Sequence, residues 1–170
     1  MNAADFGVPQ FRRRVFLVGG DRAVRWPEGT HCSQEQMKQQ SMFGPSKKPW
    51  NTIGQALGLD ATVIGIASNP YTKDESGEWD KSSRTYKDIT DEPSTGITAK
   101  GPLWNQGPFV VDGEEKRRLT WQECATLQGF PSDHPFTGRT KASIYKQVGN
   151  AVCPIVSEVL ARCVMEAMDT

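Results

Sequence analysis

Residues 14–19, with the sequence RVFLVG, constrain the fold more than any other part of this chain. The run is short, continuously apolar and ended by two glycines, and such a run is typical of a buried strand. A strand needs neighbouring strands to satisfy its backbone, and no candidate strand precedes this one. The run therefore predicts a strand that pairs either with a later part of the chain or with strands of another chain.

The middle of the chain mixes short structural signals with polar stretches. Residues 33–42 predict a short surface helix, and residues 52–55 (TIGQ) form a capping box that opens a helix ending at Gly58. Residues 62–67 predict a strand, whereas the polar residues 69–92 predict long loops. Eleven prolines and sixteen glycines favour a region with many turns and regular structure only in patches.

The last third of the chain has clearer local signals. Residues 109–111 predict a short strand, followed by a turn at residues 112–113. Thr120 and Glu123 have the spacing of a second capping box, and Gly129 is placed to end the helix that this box opens.

A final helix is predicted to begin near Cys153 or Pro154, because proline is well tolerated in a first turn. Its apolar residues recur with helical spacing on one face, and such a stripe is typical of packing against a core. The stripe consists of Ile155, Val156, Val159, Leu160, Cys163, Val164, Ala167 and Met168.

The charge balance excludes a chain that binds nucleic acid as a bulk polycation. Twenty Lys and Arg residues match twenty Asp and Glu residues, so the net charge is zero. The basic residues are nevertheless clustered, although each cluster alone is typical of a solvated surface. The clusters are residues 12–14, Lys47 with Lys48, residues 116–118, and Arg139 with Lys141 and Lys146.

The cysteine pattern bears on redox state and metal binding. Cys32, Cys124, Cys153 and Cys163 include no CxxC pair, and the chain has two histidines. We therefore expect reduced thiols and no metal site. The polar N-terminus has no signal-peptide core, and no apolar run approaches the length of a membrane span, so a cytoplasmic protein without membrane contact is expected.

Three segments, in order, resemble one family. Residues 7–19 (GVPQFRRRVFLVG), residues 118–131 (RLTWQECATLQGFP) and residues 145–152 (YKQVGNAV) resemble the eighth, ninth and tenth ordered motifs of cytosine-5 DNA methyltransferases. Their order, and the long variable stretch between the first two, make the resemblance specific.

The resemblance implies a role for each polar position of the first motif. Gln10, Arg12 and Arg14 stand at positions that lie, in the family, against the DNA backbone and the flipped cytosine. Arg14 would point at the base and its O2, and Arg12 would add a phosphate contact. Arginine suits these tasks because it stays charged and presents a rigid fork of donors.

The resemblance of the third motif implies a cofactor contact. Gly149, Asn150 and Ala151 stand where the family holds the carboxylate end of S-adenosylmethionine. A Gly-Asn turn directly before a helix would leave backbone N–H groups free, and the helix dipole would favour an anion there. The Asn150 side chain would add a donor, whereas Ala151 would contact the cofactor through its backbone.

Two further segments have implied roles in support and recognition. In the family the second motif supports the recognition domain, so Glu123, Gln128 and Gly129 are expected to be structural. Residues 93–99 (PSTGITA) resemble a pattern near the base-contacting loop, with Gly96 where a threonine is common.

The residues that perform the chemistry in the family do not occur in this sequence. The family uses the cysteine of a Pro-Cys motif as nucleophile on a base rotated out of the duplex, and a Glu-Asn-Val motif contacts the ring. This sequence contains no Pro-Cys or Glu-Asn dipeptide and no Gly-rich cofactor turn. Cys153 precedes Pro154, the reverse order, and is interpreted as a small buried residue.

The predicted fold is an α/β fragment of two parts. Residues 1–22 and 143–170 would form the C-terminal remnant of a Rossmann-like methyltransferase domain, with the final helix packed on the first strand. Residues 23–117 would form a small, irregular, mostly β target recognition domain, and residues 118–142 its supporting segment.

The resulting hypothesis is the DNA-recognition and cofactor-completing part of a DNA (cytosine-5-)-methyltransferase of a restriction-modification system. It would be inactive without a partner chain that carries the missing motifs. It would bind double-stranded DNA and S-adenosylmethionine, in the cytoplasm or at the nucleoid, without a metal. The alternatives are a non-catalytic module that binds DNA or a methyltransferase, a degenerate fragment, and part of an RNA methyltransferase.

Overall fold

The computed structural model of this chain describes residues 1–39, 46–66, 72–73, 79–80, 86–101 and 108–169. It is a mixed α/β structure that opens with a 3-10 helix, Ala3–Phe6. The strands are β1 His31–Cys32, β2 Lys48–Pro49, β3 Thr62–Ile66, β4 Thr72–Lys73, β5 Trp79–Asp80, β6 Tyr86–Asp88, β7 Phe109–Asp112 and β8 Glu115–Arg118. The helices are α1 Gln34–Lys38, α2 Ile53–Leu57, α3 Trp121–Leu127, α4 Lys141–Asn150 and α5 Pro154–Met168.

A four-stranded antiparallel sheet, in the order β6-β3-β7-β8, lies in the middle of the chain. β3 pairs with β7 so that Val63 lies opposite Val110, and both side chains are buried. The predicted strands at residues 62–67 and 109–111 are thus confirmed over their described residues. β8 was not predicted because its four residues are polar and exposed, and it forms by pairing with β7 across the turn at Gly113.

The polar stretch at residues 69–92 contains more pairing than the predicted long loops. Within its described part, β4 pairs with β5, and β6 pairs with β3. All three residues of β6 are exposed, Tyr86 at 48%, and this edge strand is stabilised mainly by its backbone pairing with β3.

The predicted helices of the middle region are present. Thr52 Oγ1 accepts from the Gln55 N–H, and Gln55 Oε1 accepts from the Thr52 N–H, both at 3.2 Å, which is the predicted capping box. Gly58 ends this helix in the left-handed conformation, with φ of 58°. The surface helix predicted at residues 33–42 is α1, although residues 40–42 lie outside the described part of the chain.

The second capping box opens α3. The Glu123 N–H donates to Thr120 Oγ1 at 3.2 Å, and the Glu123 carboxylate accepts from the Thr120 N–H at 2.7 Å. Gly129, with φ of 82°, ends the helix as predicted. The N–H of Phe130 then donates to the Ala125 carbonyl at 3.0 Å, which satisfies one of the last helical carbonyls.

Two apolar clusters organise the described residues. The larger joins the sheet to α2, α3 and α4 through Ile53, Val63, Ile89, Ile97, Val110, Leu119, Cys124, Ala125, Leu127 and Val148. The smaller joins the 3-10 helix to the start of α5 through Ala3, Phe6, Val8, Cys153 and Val156. The two ends of the chain therefore share a core.

Residues 14–19 do not form the predicted strand. Backbone pairing ends at Arg14, whose N–H donates to the Met1 carbonyl at 2.9 Å. Beyond it, Val15 is 88% exposed and Leu17 is 94% exposed. The prediction is wrong for this chain because a strand forms only beside another strand, and the described residues supply none at this place.

The final helix begins at Pro154, as predicted. The expected packing of its apolar stripe is only partly found, since Val156 is buried whereas Met168 is 69% exposed. The Arg22 guanidinium donates to the Met168 carbonyl at 2.6 Å, which ties the segment after residues 14–19 to the end of this helix. Much of the apolar stripe of α5 is exposed because residues 14–19 are not part of a sheet that would pack on it.

Among the residues that the structure describes, the stretch Lys141–Met168 is apolar and long enough to cross a membrane by length and composition. The sequence analysis expected no apolar run of this length, and the stretch departs from that expectation. It is divided at residues 151–153 into α4 and α5. α5 has 15 residues, a length of about 22 Å, which is less than the roughly 30 Å of a bilayer core.

Glu123 is expected to stabilise the fold in a pH-dependent way. Burial raises the pKa of its carboxyl, but hydrogen bonds from Arg117 and Thr120 outweigh burial, and the net pKa lies below its ordinary value. The resulting stabilisation is present at neutral pH and is lost as pH falls through the folded-state pKa. Glu123→Gln should therefore lower the free energy of unfolding by about 1 kcal/mol at neutral pH, and by less in acid, in urea titrations.

The matched control for this prediction is Glu158→Gln. Glu158 pairs with Arg162 at 2.7 Å on the surface of α5, where both side chains are largely exposed. Its loss should leave the free energy of unfolding nearly unchanged at either pH. An equal loss for Glu123→Gln in acid and at neutral pH would contradict the titration argument.

Candidate functional site

Gln10, in the first motif, is a fully buried polar residue. Its Nε2 donates to the Leu127 carbonyl at 3.2 Å and to Gln128 Oε1 at 3.4 Å. Its Oε1 accepts from the Ile97 N–H at 3.3 Å. These partners enclose the amide and hold the motif in place, whereas the DNA contact predicted for Gln10 stays a prediction.

Arg12 is 6% exposed and joins distant parts of the chain. Its guanidinium donates to the carbonyls of Ile97 at 3.0 Å, Gly149 at 2.9 Å and Ala151 at 3.0 Å, while its Nε has no partner. Burial, and then the nearby charge of Arg14, lower the pKa of Arg12. Its donors are thus directed inward to backbone carbonyls, and the phosphate contact predicted for Arg12 stays a prediction.

A second buried amide, Gln128, extends this network to the third motif. Its Nε2 donates to the Val148 carbonyl at 2.7 Å, and its Oε1 accepts from the Cys153 thiol at 3.1 Å as well as from Gln10. Burial raises the pKa of the Cys153 thiol, which favours the neutral donor over a reactive thiolate. These contacts agree with the structural roles expected for Gln128 and Cys153.

A cavity of about 160 Å³ lies beside the network. Residues of the first motif, of the third motif, of the N-terminus and of the start of α5 line it: Met1, Ala3, Arg12, Arg14, Val15, Phe16, Asn150, Ala151, Val152, Cys153 and Val156. Arg14 is exposed and donates locally to the Arg13 carbonyl at 2.7 Å. Because Arg12 is engaged by backbone carbonyls, Arg14 is the arginine of this wall that remains accessible to a ligand.

The Gly-Asn turn predicted before a helix is not found. Gly149 and Asn150 are the last two residues of α4, and the Ala151 N–H donates back to the carbonyls of Gln147 and Val148. This is the carbonyl end of a helix, whose partial charge is negative. The helix dipole therefore does not assist an anion at Gly149 and Asn150, and the cofactor contact stays a prediction, for which Asn150 is exposed and lines the cavity.

Close packing explains the glycine at position 149. A Cβ on Gly149 would lie 2.3 Å from the Ala99 nitrogen and 2.3 Å from the Thr98 carbonyl carbon. The backbone of the third motif thus packs directly on residues 93–99, the segment that resembles the family's base-contacting region.

Trp50 and Asn51, which resemble the family's lead-in to the recognition domain, anchor the first motif to the middle of the chain through contacts that the sequence analysis did not predict. Trp50 Nε1 donates to Asp5 Oδ1 at 3.0 Å, and its ring meets that of Phe11 edge-on at 5.0 Å. Asn51 Nδ2 donates to the Gly7 carbonyl at 2.7 Å. The sequence feature that could have indicated these contacts is the pair Trp50 and Asn51, an aromatic residue and an amide directly before the capping box at Thr52.

The exposed basic residues differ in their availability. Arg117 is paired with Glu123 at 2.7 Å, so this member of its cluster is engaged. Arg13 and Arg14 both line a second, wider cavity of about 600 Å³, which makes this side of the first motif a basic concave surface. Within the described ranges, no group of three His, Cys, Asp or Glu residues is placed to hold a metal ion.

Known proteins resemble this chain along almost its full length. The family model for C-5 cytosine-specific DNA methylase matches residues 1–166. The chain is 28% identical to type II methyltransferase M.SacI of Streptomyces achromogenes, over 98% of this chain and 50% of that protein. It is 30% identical to type II methyltransferase M1.HphI of Haemophilus parahaemolyticus, over 98% of this chain and 46% of that protein. It is also 30% identical to type II methyltransferase M.MthTI of Methanothermobacter thermautotrophicus, over 99% of this chain and 56% of that protein.

The chain spans about half the length of the curated relatives it matches. Its three motif segments converge on one buried network beside one cavity. With a family match over residues 1–166, this chain belongs to the C-5 cytosine-specific DNA methylase family.

Proposed function

We propose that this chain is the DNA-recognition and cofactor-completing part of a DNA (cytosine-5-)-methyltransferase, which transfers a methyl group from S-adenosylmethionine to C5 of cytosine in DNA. Residues 1–22 and 143–170 then belong to the C-terminal part of the methyltransferase domain. Residues 23–117 form the target recognition domain, which residues 118–142 support. A partner chain contributes the Pro-Cys nucleophile and the Gly-rich cofactor turn.

The observation that carries this proposal is the junction of three motif segments through buried hydrogen bonds. Gln10 of the first motif bonds Gln128 of the second, and Arg12 bonds two carbonyls of the third. Such a network stabilises one arrangement when its members are satisfied. It leaves Arg14 and Asn150 on the wall of the same cavity, where they are available to ligands.

The cavity fits one end of S-adenosylmethionine, since about 160 Å³ is small for the whole cofactor. Asn150 offers an amide donor for the cofactor carboxylate, and the charge of Arg14 makes the wall positive. The cofactor supplies the methyl group when it is bound. Arg14 also has the reach and charge to contact the cytosine O2 or a phosphate.

The DNA duplex would lie along the basic side of the first motif. Arg13 and Arg14 supply phosphate contacts there, which position the duplex without specifying its sequence. Residues 23–117 would specify the sequence through contacts to base edges in the major groove.

Transfer of a labelled methyl group to DNA tests the proposal. The chain is assayed alone and together with the half of M.SacI that it does not match. We expect no transfer by the chain alone and transfer by the mixture, because the nucleophile lies outside this chain. Activity of the chain alone would overturn the proposal, and DNA binding without activity in either assay would favour a non-catalytic module.

Cys153→Ala should leave methylation by the reconstituted complex nearly intact. The thiol is buried, and it donates to Gln128 instead of facing a substrate. Asn150→Ala, a change at an exposed residue of the same motif, should reduce methylation by weakening cofactor binding. Complete loss of activity in Cys153→Ala, with an unchanged circular dichroism spectrum, would contradict the assignment of this cysteine.

A further inference from the structure

The four-stranded antiparallel sheet has one face on the core and one face that the larger apolar cluster does not include. Side chains alternate between the two faces of a strand, so the buried Val63 and Val110 mark the inner face. Their neighbours Ile64, Phe109 and Val111 are only half-buried and lie on the opposite side. We name the side of the sheet that carries these three residues the outer sheet face.

Aromatic and basic side chains are adjacent on the outer sheet face. The rings of Tyr86 and Phe109 meet edge-on with their centroids 5.8 Å apart, and Tyr86 is 48% exposed. Lys116 Nζ lies 5.9 Å from the centroid of the Phe109 ring, and Arg118 lies opposite Phe109 in the register of β7 and β8. The strands β6, β7 and β8 thus place one exposed ring and two exposed cations side by side.

The strand residues of the outer sheet face carry a net positive charge. The acidic residues Asp112 and Glu115 of the β7–β8 hairpin lie opposite each other in the register, on the inner side of the sheet. Asp88 lies on the outer side, opposite Ile64. Its Oδ1 accepts from the Thr90 N–H at 2.8 Å and from the Thr90 hydroxyl at 2.6 Å. Two cations therefore stand against one carboxylate, which is already hydrogen-bonded.

We propose that the outer sheet face binds single-stranded DNA, with one base stacked on Tyr86 and phosphates bound by Lys116 and Arg118. A ring on an open sheet face can stack only on a base that is not stacked inside a duplex, which favours an unpaired strand. The basic residues beside the ring supply charge for the sugar-phosphate backbone. Phe109 contacts the Tyr86 ring and restricts its motion before the base binds, which lowers the entropic cost of binding.

This site goes beyond the proposed function, because it requires neither the partner chain nor a duplex. It is also separate from the basic concave surface at Arg13 and Arg14. None of the four residues Tyr86, Phe109, Lys116 and Arg118 lines either cavity of the first motif.

Fluorescence anisotropy of a labelled thymidine oligonucleotide, about twelve nucleotides long, tests this site on the full chain alone. Tyr86→Leu should weaken binding about tenfold, because the stacking of one base is lost. Tyr86→Phe should bind as tightly as the unchanged chain, since it keeps the ring. Trp26→Leu is the matched control and should leave the affinity unchanged, because Trp26 is 49% exposed but lies outside the sheet.

The salt dependence of binding tests the phosphate contact. Lys116→Met should weaken binding and lower the slope of log Kd against log salt concentration by about 0.7, the value for one phosphate of a single strand. Lys146→Met, at an exposed position of α4, should change neither the affinity nor the slope. Equal slopes for the unchanged chain and Lys116→Met would contradict the contact.

An oligonucleotide of the same length without bases tests stacking without any substitution. It should bind the unchanged chain about tenfold more weakly than the thymidine strand, and equal affinity would overturn the proposal. Tighter binding of a duplex that depends on Arg13 and not on Tyr86 would assign all DNA binding to the concave surface, which also overturns it. Binding of a uridine oligonucleotide and not of the thymidine strand would identify an RNA site instead and would equally overturn it.

Discussion

Replacing Arg12 with methionine should lower the free energy of unfolding by about 3 kcal/mol or more. Methionine occupies much of the volume but donates no hydrogen bond, so the carbonyls of Ile97, Gly149 and Ala151 would lose a charged partner. Buried acceptors left without a donor carry the full cost of their lost hydration. Urea unfolding of the full chain, followed by circular dichroism, measures the change.

Arg13→Met is the matched control, because it removes the same group from the neighbouring, exposed position. Arg13→Met should change the free energy of unfolding by no more than about 0.5 kcal/mol. Arg12→Lys should fall between the two, since one ammonium cannot reproduce the fork that spans three carbonyls. Equal effects of Arg12→Met and Arg13→Met would show that the buried contacts do not stabilise the fold.

Gly149→Ala should be the second large effect, a loss of about 3 kcal/mol. The added Cβ would lie 2.3 Å from backbone atoms of Thr98 and Ala99, and a backbone cannot move aside as a flexible side chain can. Relief of this overlap requires α4 to separate from residues 93–99. Thermal unfolding should therefore show a lower midpoint temperature. The proposed binding of S-adenosylmethionine at Asn150 should also weaken, because that residue moves with the end of α4.

Gly19→Ala is the control for this substitution. A Cβ at Gly19 meets nothing within 4 Å, and its φ is not positive, so no strain is expected. The free energy of unfolding should stay within about 0.5 kcal/mol of the original value. A comparable loss in both variants would indicate a general intolerance of alanine instead of a specific overlap at Gly149.

Features that depend on neighbouring residues were predictable from the sequence. The capping boxes at Thr52 and Thr120 were predicted because their partners lie three residues away in the chain. Gly58 and Gly129 were predicted to end helices because left-handed backbone favours glycine. Pro154 marked the start of the final helix for a similarly local reason.

Features that depend on distant partners were not predictable in the same way. The apolar run at residues 14–19 has the composition of a strand, but its pairing depends on a neighbour that the described residues do not provide. β8 has the opposite character, since its polar residues become a strand because β7 lies beside them. The Gly149–Asn150 pair was predicted as a turn, but helix α4 continues through it.

The sequence by itself determined the family and the ends of the capped helices, because motif order and capping depend only on residues close together in the chain. The tertiary structure alone decided which polar residues face inward. Arg12 and Arg14 have the same chemistry two positions apart, yet Arg12 bonds carbonyls 85 and 137 residues away, whereas Arg14 stays at the surface. Whether a side chain is buried depends on such contacts between distant parts of the chain. The packing of the folded chain therefore determines where a side chain points, and the motif alone does not.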